Sequence, residues 1–172
     1  HNLEHQDYRG FAGRVEGGVF KPGDKIKTLP LGFTSVIKSI DLNGESIDEA
    51  FSPMSVTMTL EDEIDISRGD MLVRENNVPE VGQDIEVLVT WMSQKPLQSR
   101  TKVFIKHTTN ECLAMIKEIK YKIDINTLHR IENISSIEMN DIARLSIRSS
   151  KPMFYDAYKR NRQTGSLIII DE

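Results

Sequence analysis

The chain has 172 residues, of which 38% are hydrophobic and 28% are charged, and its formal net charge is −4. This composition is typical of a globular protein with one ordinary domain or two small ones. The negative charge repels nucleic-acid phosphates. The longest apolar run, Leu167 to Ile170, is far shorter than the ~20 residues that cross a bilayer. We therefore expect no nucleic-acid partner and no membrane partner.

The side chains that could bind a metal or act as nucleophiles form no recognisable site in the sequence. The single cysteine, Cys112, cannot form an internal disulfide, which fits a reducing cytoplasm. The acidic run from Glu61 to Asp65 lacks the central glycine of a calcium loop, and no Gly-x-Ser-x-Gly motif occurs. The histidines without paired ligand spacing are His1, His5, His107 and His129. We predict no catalytic, cofactor-binding or metal-binding residue in this chain.

The first predicted element is the glycine-rich stretch from Arg9 to Asp24, whose breakers exclude a helix. Gly10 and Gly13 interrupt an otherwise strand-like run, which indicates a bulge or the close approach of another backbone. Pro22 and Gly23 then form a tight turn in which glycine supplies a positive φ. The stretch therefore predicts short strands joined by sharp turns.

The next segments alternate apolar and polar residues, as half-buried strands do. Within residues 34–42, Val36 and Ile40 are predicted to share one face of a strand. Asn43-Gly44 accepts the positive φ values of a type I′ turn and predicts a hairpin. Phe51 is predicted to fill the core. The strands predicted in this half are residues 7–15, 25–29, 34–42 and 56–60.

A polar connector at residues 75–80 contains a proline and has the composition of an interdomain link. Beyond it, the apolar residues at alternate positions from Ile85 to Trp91 lie along one face of a strand. Phe104 and Tyr121, like the tryptophan, are predicted to pack in the core or between domains. Further strands are predicted at residues 101–107, 112–124 and 142–147.

The C-terminal part mixes strands with less regular segments. Residues 126–133 form a loop or a short helical turn, and Pro152 is predicted to end the strand before it. Residues 154–160 could make one helical turn. The run from Ser166 to Asp171 is rich in β-branched residues and lacks alternation, so it predicts a strand buried on both faces.

The spacing from Arg9 to Asp24, Arg-Gly-x-x-Gly-x-Val-x-x-Gly-x-Phe-x-x-Gly-Asp, resembles the opening of the second domain of the elongation factor Tu superfamily. The Ile-x-Arg-Gly-x-x-Leu run from Ile66 to Leu72 resembles the segment that closes that domain. Asn140-Asp141 and Pro152 resemble positions of the third domain. The resemblance implies an all-β chain of two consecutive small β-barrels. These are a translation-factor domain 2-like barrel at 1–76 and an elongation factor Tu C-terminal domain-like barrel at 77–172.

A second set of motifs resembles the GTPase subunit of bacterial sulfate adenylyltransferase rather than translation factors. This family couples GTP hydrolysis to the reaction of ATP with sulfate, which gives adenosine 5′-phosphosulfate and pyrophosphate on a smaller partner subunit. The matching segments are Asp124-Ile125-Asn126, Asp156-x-Tyr158, Asn161-x-x-Thr164-Gly165-x-Leu167-Ile168-x-Ile170-Asp171, residues 63–72 and Trp91-Met92. The resemblance covers nearly the whole chain.

The sequence lacks the nucleotide-binding motifs of a GTPase. It has no Gly-x-x-x-x-Gly-Lys-Ser/Thr phosphate-binding loop and no Asn-Lys-x-Asp motif. We therefore expect the GTP-binding domain to be absent from this chain, with GTP and Mg²⁺ bound in that missing domain of a longer parent. The fragment alone is expected to be non-catalytic and cytoplasmic. The resemblance implies two partners, its own N-terminal GTPase domain and the small adenylyltransferase subunit.

Positively charged side chains are the candidates for contacts with those partners. They could supply docking contacts or could be ordinary solvated surface charges. The candidates are Arg9, Arg68, Lys159, Arg160 and Arg162.

Two other functions remain open from the sequence. The chain could be the equivalent domain pair of a translation elongation factor-type GTPase that binds aminoacylated RNA. It could also be a free-standing β-barrel adaptor.

Overall fold

A computed structural model describes residues 8–171, and within them the chain forms strands and turns with no helix. The all-β prediction is confirmed. The strands are β1 (Gly10–Arg14), β2 (Val19–Phe20), β3 (Lys25–Leu29), β4 (Thr34–Leu42), β5 (Glu45–Ser46), β6 (Ala50–Phe51), β7 (Ser55–Leu60), β8 (Met71–Arg74), β9 (Glu80–Thr90), β10 (Leu97–Gln98), β11 (Lys102–His107), β12 (Asn110–Ile123), β13 (Arg130–Ile131), β14 (Ser136–Ile137), β15 (Ile142–Tyr155) and β16 (Ile168–Ile170).

The described chain divides into two compact units. The first unit contains the residues up to Pro79 together with Ala157–Thr164, and the second contains Glu80–Asp156 and the residues from Gly165 onward. The predicted domains, 1–76 and 77–172, stay a prediction, and residues 1–7 and 172 lie outside the described part. Among residues 8–171, no helix is long and apolar enough to cross a membrane.

The first unit is built on an antiparallel sheet with the strand order β1-β7-β4-β3-β8, to which β5 adds beside β4. A small separate ladder joins β2 to β6. Alternation along β3, β4 and β7 sends apolar side chains to one side of the sheet, where they form a core. The buried members of this core are Val15, Phe20, Ile26, Ile37, Ile40, Ala50, Val56 and Met58.

Gly10 lies within strand β1, where a Cβ would come 2.6 Å from Thr57 Cγ2 on the neighbouring strand β7. The obstructing atoms belong to side chains, and the register between β1 and β7 is continuous, so the predicted bulge or close approach of another backbone is not found at Gly10. At Gly13 a Cβ would meet nothing within 4 Å, so no close approach explains that glycine. Asn43 and Gly44 have φ values of 53° and 88°, as the predicted hairpin requires.

Two core predictions in the first unit were wrong. The ladder between β4 and β7 shifts register between Ile37 and Ser39, so Ile37 and Ile40 face the core in place of the predicted pair of Val36 and Ile40. Phe51 is 47% exposed, whereas its neighbour Ala50 is fully buried. Position 51 faces outward because adjacent residues of a strand point to opposite sides of the sheet.

The second unit is built on an antiparallel sheet with the strand order β16-β11-β12-β15-β9, and β13 pairs with β12. A two-stranded ladder of β10 and β14 accompanies it. The alternating residues from Ile85 to Trp91 all belong to its core or pack against it, as predicted. The fully buried members of this core include Val103, Ile116, Ile137, Ala143, Leu145 and Ile147.

The C-terminal strands differ from the prediction. Strand β15 continues through Pro152 to Tyr155, because the register shift between Arg148 and Met153 places the proline in a bulge that needs no ladder hydrogen bond. The predicted helical turn at residues 154–160 is therefore wrong at its start. Strand β16 was predicted to be buried on both faces, but it is an edge strand in which Ile168 is 59% exposed.

We expect the Ile116→Ala variant to lose about 2–5 kcal/mol of unfolding free energy in the second unit, because it leaves a cavity in a fully buried site. The single tryptophan, Trp91, packs in the same core, so its fluorescence during urea unfolding measures this loss. The exposed Ile125→Ala variant is the control and should change stability by less than about 0.5 kcal/mol. Equal losses in the two variants would contradict the assigned core.

Candidate functional site

All five positively charged candidates lie in the first unit. Arg9 forms an ion pair with Asp65, and its guanidinium lies 5.8 Å from the centre of the Phe11 ring. Arg68 is exposed in the turn after Ile66 and makes no ion pair within residues 8–171. The structure therefore gives Arg9 an intramolecular role and leaves Arg68 pointing to solvent.

The other three candidates lie on the segment Ala157–Thr164, which we call the returning loop because it rejoins the first unit late in the chain. Arg160 donates from Nη2 to Asn77 Oδ1 at 2.6 Å. The Arg162 guanidinium lies 5.9 Å from the centre of the Tyr158 ring, and Lys159 is exposed. Their assignment as partner-binding residues stays a prediction.

Asn161 anchors the returning loop to the first unit. Its Nδ2 donates to the carbonyl oxygen of Glu16 at 3.1 Å, while its Oδ1 accepts from the backbone amides of Gln163 at 2.9 Å and Thr164 at 3.3 Å. A Cβ at Gly17 would lie 2.8 Å from Asn161 Nδ2. The absence of a side chain at Gly17 therefore makes room for this contact.

The sequence analysis named Asn161 only as part of a motif and did not predict this contact. The hydrogen bonds within the loop were predictable from the sequence, because an asparagine side chain commonly accepts from the amides two and three residues ahead in an Asx turn. The contact with Glu16 joins residues 145 positions apart. No local pattern predicts a contact at that separation.

The second unit carries a network of ion pairs on the outward face of strands β9, β12 and β15. Glu86 accepts from Lys120 and, at 3.1 Å, from Arg144. Hydrogen bonds from Lys120, and then from Arg144, lower the pKa of the Glu86 carboxyl, and Glu86 in turn raises the pKa of Lys120. Asp84 pairs in the same way with Lys117 and Arg148. Because these groups are exposed, each pair stabilises the fold only weakly.

A cavity of about 360 Å³ opens at the end of the second unit's sheet, where β10 and β11 begin. Trp91 forms one wall, and its Nε1 donates to the carbonyl oxygen of Lys95 at 2.8 Å. Among the residues that the structure describes, Asp171 is the only acidic one in the lining, and it accepts from Ser93 Oγ at 2.7 Å. The basic lining residues are Lys95, Arg100 and Lys102.

The cavity is positively charged, and its electrostatics suit an anionic group such as a carboxylate. It was not predicted, because its cations come from a bend, a turn and the start of one strand, which no motif connects. Arg100 has φ 67°, a turn conformation that few residue types favour and that its sequence does not signal. Within residues 8–171, no group of three His, Cys, Asp or Glu could hold a metal ion.

Residues 84–172 match the family model described as GTP-eEF1A C-terminal domain-like, and the chain belongs to that family.

Relatives with known names extend the match over the whole chain. Sulfate adenylyltransferase subunit 1 of Bacteroides fragilis (strain YCH46) is 44% identical over 165 residues, which cover 96% of this chain and 34% of that protein. The bifunctional enzyme CysN/CysC of Mycobacterium tuberculosis (strain H37Rv) is 42% identical over 172 residues, which cover 99% of this chain and 28% of that protein. The chain thus spans about a third of the length of the relatives it matches. The resemblance proposed from the sequence motifs is confirmed.

Solved structures support the fold. Sup35 in complex with GDP aligns with a TM-score of 0.85 over 96% of this chain and 42% of its own, at 13% sequence identity. Sup35 in complex with GMPPNP gives a TM-score of 0.82 at 14% identity. At this level of identity the likeness confirms the predicted fold class and carries no further conclusion.

We expect the contact between Gly17 and Asn161 to appear as an energetic coupling. Asn161→Ala should cost about 1–3 kcal/mol in the first unit, because it removes the donor to one partly buried carbonyl and the acceptor for two backbone amides. Gly17→Ala should cost more in the wild type than in the Asn161→Ala background, by at least about 0.5 kcal/mol, because the obstructing side chain is then gone.

Native-state hydrogen exchange of the amides in β3 and β8 measures the opening of the first unit and hence the coupling. Gln163→Ala is the matched control, since Gln163 contributes only its backbone amide to the turn. If the losses of unfolding free energy from the two substitutions are strictly additive, Asn161 does not restrict position 17.

We expect the Lys120→Ala variant to raise the pKa of Glu86 toward its ordinary value, because the main hydrogen bond that lowers it is lost. In the wild type the folded-state pKa is depressed, so the stability from this pair is present above the unfolded-state pKa. It is lost as the pH falls through the folded-state value.

Carboxyl-detected NMR titration of the side chain measures the change in Glu86. Lys117→Ala, which removes a cation paired with Asp84, is the control and should leave the Glu86 titration unchanged. An unchanged Glu86 pKa in Lys120→Ala would rule out this ion pair in solution.

Proposed function

We propose that this chain forms the two accessory domains of the GTPase subunit of a sulfate adenylyltransferase. In that enzyme, GTP hydrolysis drives the reaction of ATP and sulfate to adenosine 5′-phosphosulfate and pyrophosphate. One observation carries the proposal: proteins named sulfate adenylyltransferase subunit 1 or CysN/CysC match 96–99% of the chain at 38–44% identity. The match includes both units.

The role of these domains in the proposed enzyme is mechanical. GTP and Mg²⁺ bind in a domain outside this chain, and the two units carry the effect of the bound nucleotide to the adenylyl-transferring partner. Such coupling requires contacts whose strength differs between the GTP and GDP states. Two separately packed apolar cores suit this role, because packed cores move as bodies and do not deform continuously.

The translation-factor alternative has less support. The relatives at 38–44% identity are named sulfate adenylyltransferase subunit 1 or bifunctional enzyme CysN/CysC, whereas the likeness to Sup35 rests on 13–14% identity. The formal charge of −4 also opposes general RNA binding. We therefore favour sulfate activation.

The test is to mix the full-length protein with its small subunit and to measure pyrophosphate release from ATP and sulfate. We expect GTP to stimulate release, because hydrolysis supplies the free energy that the unfavourable reaction lacks. A non-hydrolysable GTP analogue should not sustain multiple turnovers. A truncated protein that lacks the residues of this chain should fail to couple GTP hydrolysis to pyrophosphate release.

The isolated chain provides the complementary control. It should give no heat of GTP binding by calorimetry, because the proposed nucleotide site lies in the missing domain. A stoichiometric binding signal would refute that assignment, and the absence of GTP stimulation in the full assay would refute the proposed enzyme.

A further inference from the structure

The outward face of the second unit's sheet carries a continuous apolar surface. Strand alternation sends Val103 and Ile105 of β11 into the core and Phe104 outward, where it is 41% exposed. Phe104 lies directly opposite Leu113 on β12 and Ile170 on β16. Side chains at opposed positions of neighbouring strands are in contact distance. These residues therefore form one row across three strands.

Two further side chains extend the row into a patch. Met115 lies on β12 opposite Lys102, and Ile168 lies on β16 opposite Lys106. Both are exposed, as are the members of the row. We call the apolar patch the outer apolar face, and its residues are Phe104, Leu113, Met115, Ile168 and Ile170. Single exposed apolar residues are ordinary, whereas a contiguous patch marks an interaction surface.

The charges around the outer apolar face differ from one end to the other. At one end Lys106 pairs with Glu111 at 3.7 Å, so the local charge is balanced. At the other end Lys102 leads into the basic cavity with Arg100, and neither forms an ion pair within the described residues. Among the described residues at this end, Arg100 and Lys102 outnumber the single carboxylate, Asp171, although the whole chain carries a formal charge of −4. A partner surface that complements this one would have an apolar centre and carboxylates at one end.

We propose that the outer apolar face binds the other subunit of the sulfate adenylyltransferase, with a carboxylate of that subunit entering the basic cavity. This inference rests on the proposed function. An aromatic side chain at the centre of an apolar patch is typical of stable subunit interfaces. Contacts between domains of one chain are more polar. A second copy of this chain would offer only carboxylates that are already engaged, because Glu111 pairs with Lys106 and Asp171 accepts from Ser93.

The test uses the full-length protein and its purified small subunit, with the dissociation constant measured by calorimetry. Phe104→Glu should weaken the complex at least about 30-fold, because it removes a central anchor and places a charge in a desolvated position. Ile170→Asp, on the edge strand, should weaken it in the same direction. Leu88→Glu is the matched control: Leu88 is 56% exposed on β9, outside the outer apolar face. It should change affinity by less than about threefold.

A charge-reversal pair tests the basic end. Arg100→Glu with Lys102→Glu should weaken binding at low salt by at least about tenfold and should flatten its salt dependence. The matched control reverses Lys25 and Lys38, two exposed lysines of the first unit. Circular dichroism melting of each full-length variant confirms that it folds.

The outcomes separate the two proposals. If the wild type binds the small subunit and shows GTP-stimulated pyrophosphate release, the proposed function holds, and unchanged affinity in Phe104→Glu and Ile170→Asp then overturns this interface. If those variants alter GTP affinity or GTPase rate but not subunit affinity, the chain's own GTPase domain covers the face. If they only abolish self-association, a second copy covers it. Either result overturns the inference. If the wild type neither binds nor responds to GTP, both proposals fail.

Discussion

The two-residue period of the β-strand determines both the inside and the outside of this protein. Along β11 the odd-numbered positions Val103, Ile105 and His107 are buried, and the even-numbered positions face outward. The same alternation on β12 and β16 places their outward residues in line with Phe104. A shift of one residue would exchange the two sets and would expose the core. The core and the outer apolar face are thus two consequences of one register.

Much of the fold follows from that period and from turn chemistry, so the sequence predicts it well. The strands at residues 25–29, 34–42 and 102–107 were found because alternation is a local property. The hairpin at Asn43-Gly44 was found because its turn type requires these residues. The family resemblance then added the division into two strand-rich modules, which periodicity alone does not give.

The errors arose where the period is interrupted or where pairing decides exposure. The register shift in β4 exchanges the core role of Val36 for that of Ile37, and bulges leave no reliable local mark. The apolar run of β16 resembles a fully buried strand, but it pairs on one side only. An edge strand with exposed apolar side chains can have the same composition as a buried central strand, so composition does not distinguish the two. The same ambiguity concealed the outer apolar face, since Phe104 was predicted to pack in the core or between domains.

The candidate cations show a related limit. A sequence indicates which residues are charged but not which charges are already satisfied within the molecule. Arg9 and Arg160 are engaged by Asp65 and Asn77, respectively, whereas Arg100 and Lys102 have no ion-pair partner in the described chain. A partner gains more from a cation whose charge is not already compensated, because no internal contact must be broken to form the new one. The basic end of the second unit therefore offers a stronger docking surface than Arg9 or Arg160, two of the cations that the sequence singled out.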